Sequence, residues 1–173
     1  MIKDKKSKPE HFEFLAGGKE DPRKKIVREL KNVLGKKGSI IVYYQSFEKG
    51  RLEELGEMFP KEKKWVKGIL ARIVDLIEPF QKFDYYDCKQ EGSCSIKDVL
   101  PALTGKSYEG MDISSGEEAS LQYFYSVYGL GGKEASGEEV RKIRESLRKY
   151  CGMDTEAMML ILEQLKRASL MKS

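Results

Sequence analysis

Six consecutive residues, 39–44 (SIIVYY), constrain the fold of this chain more than any other feature. They form an unbroken β-branched and aromatic run, which predicts a strand buried on both faces. Upstream, residues 11–15 (HFEFL) alternate and predict a short strand, and Asp21-Pro22 opens a helix through about residue 34. This strand–helix–strand order predicts an α/β fold.

The rest of the chain is predicted to be mainly helical. Residues 82–86 fit either a short edge strand or an extended loop. With two or three strands in all, the buried run lacks a neighbour on one side, and an uncovered sheet edge favours homodimerisation. The predicted helices cover residues 46–59, 61–77, 95–103, 115–128, 137–150 and 153–170, with capping boxes at Ser115/Glu118 and Ser136/Glu139.

Length and composition indicate one globular domain. The chain has 173 residues, 40% hydrophobic and 35% charged, so residues 11–173 are predicted to form a single domain behind a polar lead at 1–10. No apolar run approaches the ~20 residues that span a bilayer, and no signal peptide is recognisable. A cytoplasmic protein without membrane contact is expected. The net charge of +4 is compatible with a nucleic-acid partner but does not demand one.

The cysteines and the one histidine do not indicate a metal site. Cys88, Cys94 and Cys151 are odd in number, and the five residues between the first two exceed zinc-knuckle spacing. His11 is distant in sequence and is predicted to be a surface residue at a strand end. Reduced thiols are expected.

Two acidic positions carry the candidate chemistry. Glu48 follows the predicted strand at its turn into a helix, where sites form in α/β sheets; it could be a metal ligand or a helix residue favoured by the dipole. Tyr150 and Asp154 are four residues apart, so on a helix they share one face. The carboxylate could hold a divalent cation while the phenol orients a water. Alternatively, Tyr150 packs in the core and Asp154 caps a helix that begins after Gly152.

Both positions resemble motifs of the DEDD-type 3′–5′ exonucleases, which have a ribonuclease H-like fold. Residues 44–48 (YQSFE) resemble the second motif, Asn-x-x-Phe-Asp, and residues 150–154 (YCGMD) match the third, Tyr-x-x-x-Asp. The chain is still more similar to an uncharacterised prokaryotic domain-of-unknown-function family of this superfamily, often found behind RecB-like nuclease modules. The segments that carry that similarity are residues 45–49, 83–86, 92–97, 99–105 and 150–155.

The resemblance implies a partial ribonuclease H-like fold with few strands and a helix-rich C-terminal half. It implies that Glu48 and Asp154 bind Mg²⁺ or Mn²⁺ and that Tyr150 orients the attacking water. The expected activity is metal-dependent 3′–5′ exonuclease cleavage of nucleic acid by an intact parent protein, with an upstream nuclease module as a possible partner. Lys97 and Lys106, which flank the serine-rich segment, are candidate phosphate contacts.

Three departures from the motifs qualify this expectation. Tyr44 stands where the motif has Asn, and Glu48 stands where it has Asp. The first motif, a strand bearing Asp-x-Glu, does not precede residue 11. The chain is therefore expected to be the C-terminal part of the domain and inactive alone. The alternatives are a non-catalytic module with a degenerate fold, which binds nucleic acid or protein, and a purely structural helical domain.

Overall fold

The computed structural model describes residues 8–170, and within them the protein is mostly helical with one small sheet. Two short 3₁₀ turns, Pro60–Glu62 and Cys88–Gln90, join the longer elements. Those elements, in chain order, are α1 (Arg23–Leu34), β1 (Ile40–Val42), α2 (Gln45–Met58), α3 (Lys63–Leu70), β2 (Ile73–Asp75), α4 (Glu78–Gln81), α5 (Ile96–Thr104), α6 (Gly116–Tyr128) and α7 (Gly137–Leu170).

The sheet consists of β1 and β2, which run parallel with Ile40 opposite Ile73 and Val42 opposite Asp75. Helices α2 and α3 form the crossover between them. The α/β class is confirmed, but the predicted partner of β1 is wrong: residues 11–15 form no strand, and neither do residues 82–86. The predicted helix 61–77 is also wrong beyond Leu70, because its last apolar residues belong to β2. A short apolar run fits both a helix face and a buried strand.

The sheet is less deeply buried than the sequence predicts. Val42 is 6% exposed, whereas Ile40 and Ile41 are half-buried and Val74 is 46% exposed. Within the described residues, the pair of strands is therefore covered mainly at its β1–α2 end. The carboxyl ends of the strands are therefore the more buried edge of the sheet.

Two compact units account for the described residues: the first comprises residues 8–37 and 110–152, the second residues 38–109 and 153–170. The single-domain prediction for residues 11–173 stays a prediction. Each unit has its own buried apolar side chains. In the first these are Val27, Ile113, Leu147 and Tyr150; in the second they are Val42, Val66, Ile69, Leu76, Phe80, Val99, Leu100, Tyr108, Ala157 and Ile161.

Helix α7 runs without a break through Gly152. The predicted pair of helices at 137–150 and 153–170 is therefore wrong. A glycine inside a helix costs only ~1 kcal/mol relative to alanine, and buried residues on both sides of it, Tyr150 (8% exposed) and Ala157 (0%), favour continuity. As a consequence, Asp154 lies in a helix interior, and the alternative in which it caps a helix is excluded.

The predicted capping box at Ser136/Glu139 is confirmed, and the one at Ser115/Glu118 is formed in part. The Ser136 hydroxyl accepts a hydrogen bond from the Glu139 backbone N–H (3.2 Å), and the Glu139 carboxylate accepts one from the Ser136 N–H (2.8 Å). The Ser115 hydroxyl accepts the Glu118 backbone N–H (3.1 Å), but the Glu118 carboxylate accepts the N–H of Ser114 (2.9 Å). The Ser95 side chain caps α5 by accepting the Lys97 backbone N–H. None of the helices in the described part of the chain combines the length and apolar character needed to cross a bilayer.

Candidate functional site

The carboxyl ends of β1 and β2 meet at one edge of the sheet because the strands are parallel. Asp75, the last residue of β2, is 8% exposed and organises this edge. Its carboxylate accepts backbone N–H bonds from Tyr44 (2.9 Å), Gln45 (2.7 Å) and Ile77 (3.1 Å). Asp75 therefore fixes the turn from β1 into α2 and the exit from β2 with one buried side chain.

Tyr44, directly before α2, has a left-handed backbone (φ 73°) that is costly for a residue with a bulky side chain. Its hydrogen bond to Asp75 holds it there, while its side chain stays 57% exposed. Asparagine enters the left-handed region more readily than tyrosine, so tyrosine carries a conformational cost at this position that the hydrogen bond to Asp75 offsets.

Glu48 lies in the first turn of α2 and is half-buried. Its Oε2 atom is buried and has no hydrogen-bond partner among the described residues. Burial raises the pKa of Glu48, and the negative charge of Asp75 raises it further, against an opposing hydrogen bond from its own backbone N–H. Glu48 is therefore not a freely solvated helix residue. A nearby positive charge would stabilise its ionised form.

Asp154, in α7, has a different environment. The Tyr108 hydroxyl donates a hydrogen bond to its Oδ1 atom at 2.8 Å. Tyr108 is 7% exposed and lies after α5. Its phenol is thus a fixed donor that orients the Asp154 carboxylate.

Tyr150 occupies the position four residues before Asp154 on α7. It is 8% exposed, so its side chain is largely buried. Because α7 is continuous, Tyr150 and Asp154 lie one turn apart on the same helix, which was one of the two alternatives that the sequence left open. The predicted role of Tyr150 in orienting a water stays a prediction.

The two predicted phosphate contacts are both exposed, but their surroundings differ. Lys97 lies in the first turn of α5. Lys106 forms an ion pair with Glu156 of α7 (2.6 Å), so a phosphate would have to compete with that carboxylate. Their assignment to nucleic acid stays a prediction.

A complete metal centre is not formed by the described residues. No group of three or more His, Cys, Asp or Glu side chains in residues 8–170 is placed to hold an ion. The structure brings Glu48 together with Asp75, whose two oxygens both accept backbone hydrogen bonds, and Asp154 together with Tyr108. The residues present could therefore supply part of a ligand set only.

Asp75 and Tyr108 are the two site residues that sequence reasoning missed. For Asp75 a signal exists, because an acid that ends an Ile-Val run can mark a strand end at a sheet edge. For Tyr108 the sequence carries none, since its partner lies 46 residues away. The hydrogen bond depends on how α7 packs in the second unit.

Comparison with known proteins identifies a family without assigning an activity. A family model described as "Domain of unknown function (DUF2779)" matches residues 1–95, which is more than half of the chain. No curated protein and no solved structure matches the sequence. The match includes β1, β2, Glu48 and Asp75, and it ends before α5 and α7. The chain therefore belongs to the DUF2779 family of domains of unknown function.

Proposed function

We propose that this chain is the C-terminal portion of a metal-dependent 3′–5′ exonuclease-like domain with a ribonuclease H-like fold, which acts on nucleic acid in an intact parent. The observation that carries the proposal is the buried Oε2 atom of Glu48, which has no hydrogen-bond partner in residues 8–170 and lies at the carboxyl edge of parallel strands. Ligand sites in α/β sheets form at this edge.

The environment of Glu48 suits a divalent cation. Burial raises the pKa of the Glu48 carboxyl group, and the negative charge of Asp75 raises it further. A hard cation such as Mg²⁺ or Mn²⁺ prefers carboxylate oxygens and would compensate both charges. The ion would supply charge neutralisation at a phosphodiester and activation of a water.

The chain's own residues have distinct parts in this proposal. Glu48 would present its buried oxygen to the ion, and Asp75 would hold Glu48 in place through the start of α2. Asp154, oriented by Tyr108, would be the second carboxylate, and the Tyr150 phenol would orient the attacking water. We propose no reaction step through the ion, because the ligand set of the described residues is incomplete and the remaining carboxylates would have to come from an Asp-x-Glu strand of the parent.

A second candidate is a non-catalytic module that binds nucleic acid or a partner protein. One observation favours it: within residues 8–170, no three potential metal ligands come together. Tyr44 and Glu48, where the motif has Asn and Asp, also favour it. The two candidates differ in whether Glu48 and Asp154 contribute to ion binding.

Ion binding by the full chain is the first test. We expect weak Mn²⁺ binding, followed by the loss of the free-ion electron paramagnetic resonance signal, and we expect Glu48→Gln and Asp154→Asn each to reduce it. Glu53→Gln is the matched control, because Glu53 is an exposed carboxylate on the same helix. Binding that none of the variants changes would contradict the proposal.

Cleavage is the second test and uses a 3′-labelled single-stranded oligonucleotide with Mn²⁺. We expect no cleavage by this chain alone and cleavage by the longer parent that supplies an Asp-x-Glu strand. Asp154→Asn should abolish the parent's activity, and Glu53→Gln should leave it intact. A parent that binds the oligonucleotide without cleaving it would favour the non-catalytic module.

A further inference from the structure

Positive charge is distributed unevenly along this chain. Residues 1–37 contain 12 Lys or Arg against 6 Asp or Glu, an excess of 6, while the rest of the chain contains 20 against 22. The net charge of +4 therefore arises entirely from the first 37 residues. Such asymmetry indicates a polyanionic partner for the basic segment.

Helix α1 arranges part of this charge on one side. Its Val27 packs inward at 4% exposed. Lys24, Arg28 and Lys31 are exposed at i, i+4 and i+7, so they line one side of the helix. We call these three residues the basic face of α1. The face extends over ~10 Å, which corresponds to about three nucleotides at ~3.4 Å per residue of one strand.

The helix dipole favours Lys31 in the last turn of α1 but does not explain the position of Lys24 in the first turn. The first turn of α1 contains no acidic residue, and its cations lie at the helix end where the dipole disfavours positive charge. Arg23 and Lys25 are compensated by ion pairs with Asp21 (2.6 Å) and Glu20 (2.9 Å). Lys24 has no carboxylate partner in residues 8–170. A locally unfavourable charge without compensation is typical of a functional surface.

We infer that the basic face of α1 binds the phosphate backbone of nucleic acid. The inference rests on the proposed function for the class of ligand and adds a binding surface in the first unit. Arg28 forms an exposed ion pair with Glu29 (3.1 Å); such pairs are weak, and a phosphate can replace the carboxylate. An anionic membrane fits less well, because the face has no aromatic or large apolar side chain to insert.

Fluorescence anisotropy of a labelled 20-nucleotide single strand, titrated with the full chain in EDTA, tests the inference without metal or cleavage. The variant Lys24→Gln/Arg28→Gln/Lys31→Gln removes the face and keeps good helix formers. Three lost phosphate contacts should weaken binding about tenfold or more and reduce the salt slope of log K by about 2. Circular dichroism establishes that the variant keeps its helix content.

The matched control is Lys63→Gln/Lys64→Gln/Lys67→Gln on α3, which removes the same charge from exposed lysines of the second unit. We expect its affinity to change less than twofold. If both triple variants weaken oligonucleotide binding equally, the net charge of the chain explains the loss and the inference is overturned. Absence of binding, or of any loss in the α1 variant, would overturn it as well. So would binding only to phosphatidylserine vesicles.

The outcomes for the inference and for the proposed function are separable. Suppose that oligonucleotide binding in EDTA depends on α1, that the parent is inactive and that ion binding does not depend on Glu48. The binding surface would then be supported and the nuclease function contradicted. Cleavage by the parent, with oligonucleotide binding that does not depend on α1, would support the nuclease function and contradict the binding surface. Glu53→Gln, at an exposed carboxylate outside both sites, should leave binding in EDTA unchanged.

Discussion

Glu48 and Asp154 are both acidic residues of the second unit, but their carboxylates differ in the hydrogen bonds that they accept. Asp154 receives a hydrogen bond from the buried Tyr108 hydroxyl, whereas the buried oxygen of Glu48 receives none from the described residues. Burial raises the pKa of Glu48, and the negative charge of Asp75 raises it further. A buried carboxylate oxygen that accepts a hydrogen bond is compatible with a purely structural role, whereas a buried oxygen without a donor favours a ligand.

The largest expected effect on stability comes from replacing Asp75, which holds the turn before Glu48. Asp75→Ala would leave the backbone N–H groups of Tyr44, Gln45 and Ile77 without their acceptor, and Tyr44 without the bond that offsets its left-handed backbone. We expect a loss of about 3 kcal/mol or more in the free energy of unfolding, at ~1–3 kcal/mol per buried unpaired group. Urea denaturation measures it.

Two further variants serve as controls for Asp75. Asp75→Asn keeps one acceptor oxygen and should lose a smaller part of the stability. Asp84→Ala, at an exposed acid, should change it by less than ~0.5 kcal/mol. A loss below 1 kcal/mol for Asp75→Ala would show that the three hydrogen bonds do not hold the turn.

A middle-sized effect is expected on the Asp154 side. Tyr108→Phe removes only the hydroxyl that donates to Asp154. A hydrogen bond to a charged group contributes ~1.5–3 kcal/mol, so we expect destabilisation by about 1.5 kcal/mol in thermal or urea unfolding. Tyr86→Phe, at a tyrosine that is 49% exposed, is the control and should be nearly neutral. Equal stability of the two variants would show that the Tyr108 hydroxyl does not stabilise the folded state through Asp154.

Glu48→Gln is expected to have the smallest effect on stability, but it tests most directly whether the charge of Glu48 is unfavourable in the folded state. The pKa of Glu48 is raised above its ordinary value of 4.5, so the folded state holds this proton more tightly than the unfolded state. Stability from this group is therefore present below pH 4.5 and is lost as the pH rises through the folded-state pKa. Glu48→Gln should remove that loss and raise the stability at pH 7 by less than ~1 kcal/mol, since solvent screens a half-exposed group.

The effect of Mg²⁺ on the free energy of unfolding is the second test of the Glu48 carboxylate. Added Mg²⁺ should stabilise the wild-type chain by mass action and have less effect on Glu48→Gln. Glu53→Gln again serves as the matched control. If the free energy of unfolding of the wild type and of Glu48→Gln changes equally as the pH rises above 4.5, the raised pKa of Glu48 is contradicted.

The sequence predicted the parts of the site that depend on neighbouring residues. Glu48 was placed at a strand-to-helix turn because a strand run is a local pattern. The shared face of Tyr150 and Asp154 was only one of two alternatives, because the predicted helices were divided at Gly152. Asp75 was hidden in a stretch whose apolar spacing also fitted a helix. Tyr108 could not be found, because nothing near it in the sequence indicates a partner on α7.

What the sequence determined by itself was therefore the α/β class, the strand at β1 and the serine caps. Each of these depends on interactions within a few residues. The tertiary structure alone decided that β2 is the partner of β1, that α7 continues through Gly152 and so carries both Tyr150 and Asp154, that Asp75 holds the turn before Glu48, and that Tyr108 donates to Asp154. The physical reason is that these choices depend on burial and hydrogen bonds between segments tens of residues apart, whose energies exceed local propensities of ~1 kcal/mol.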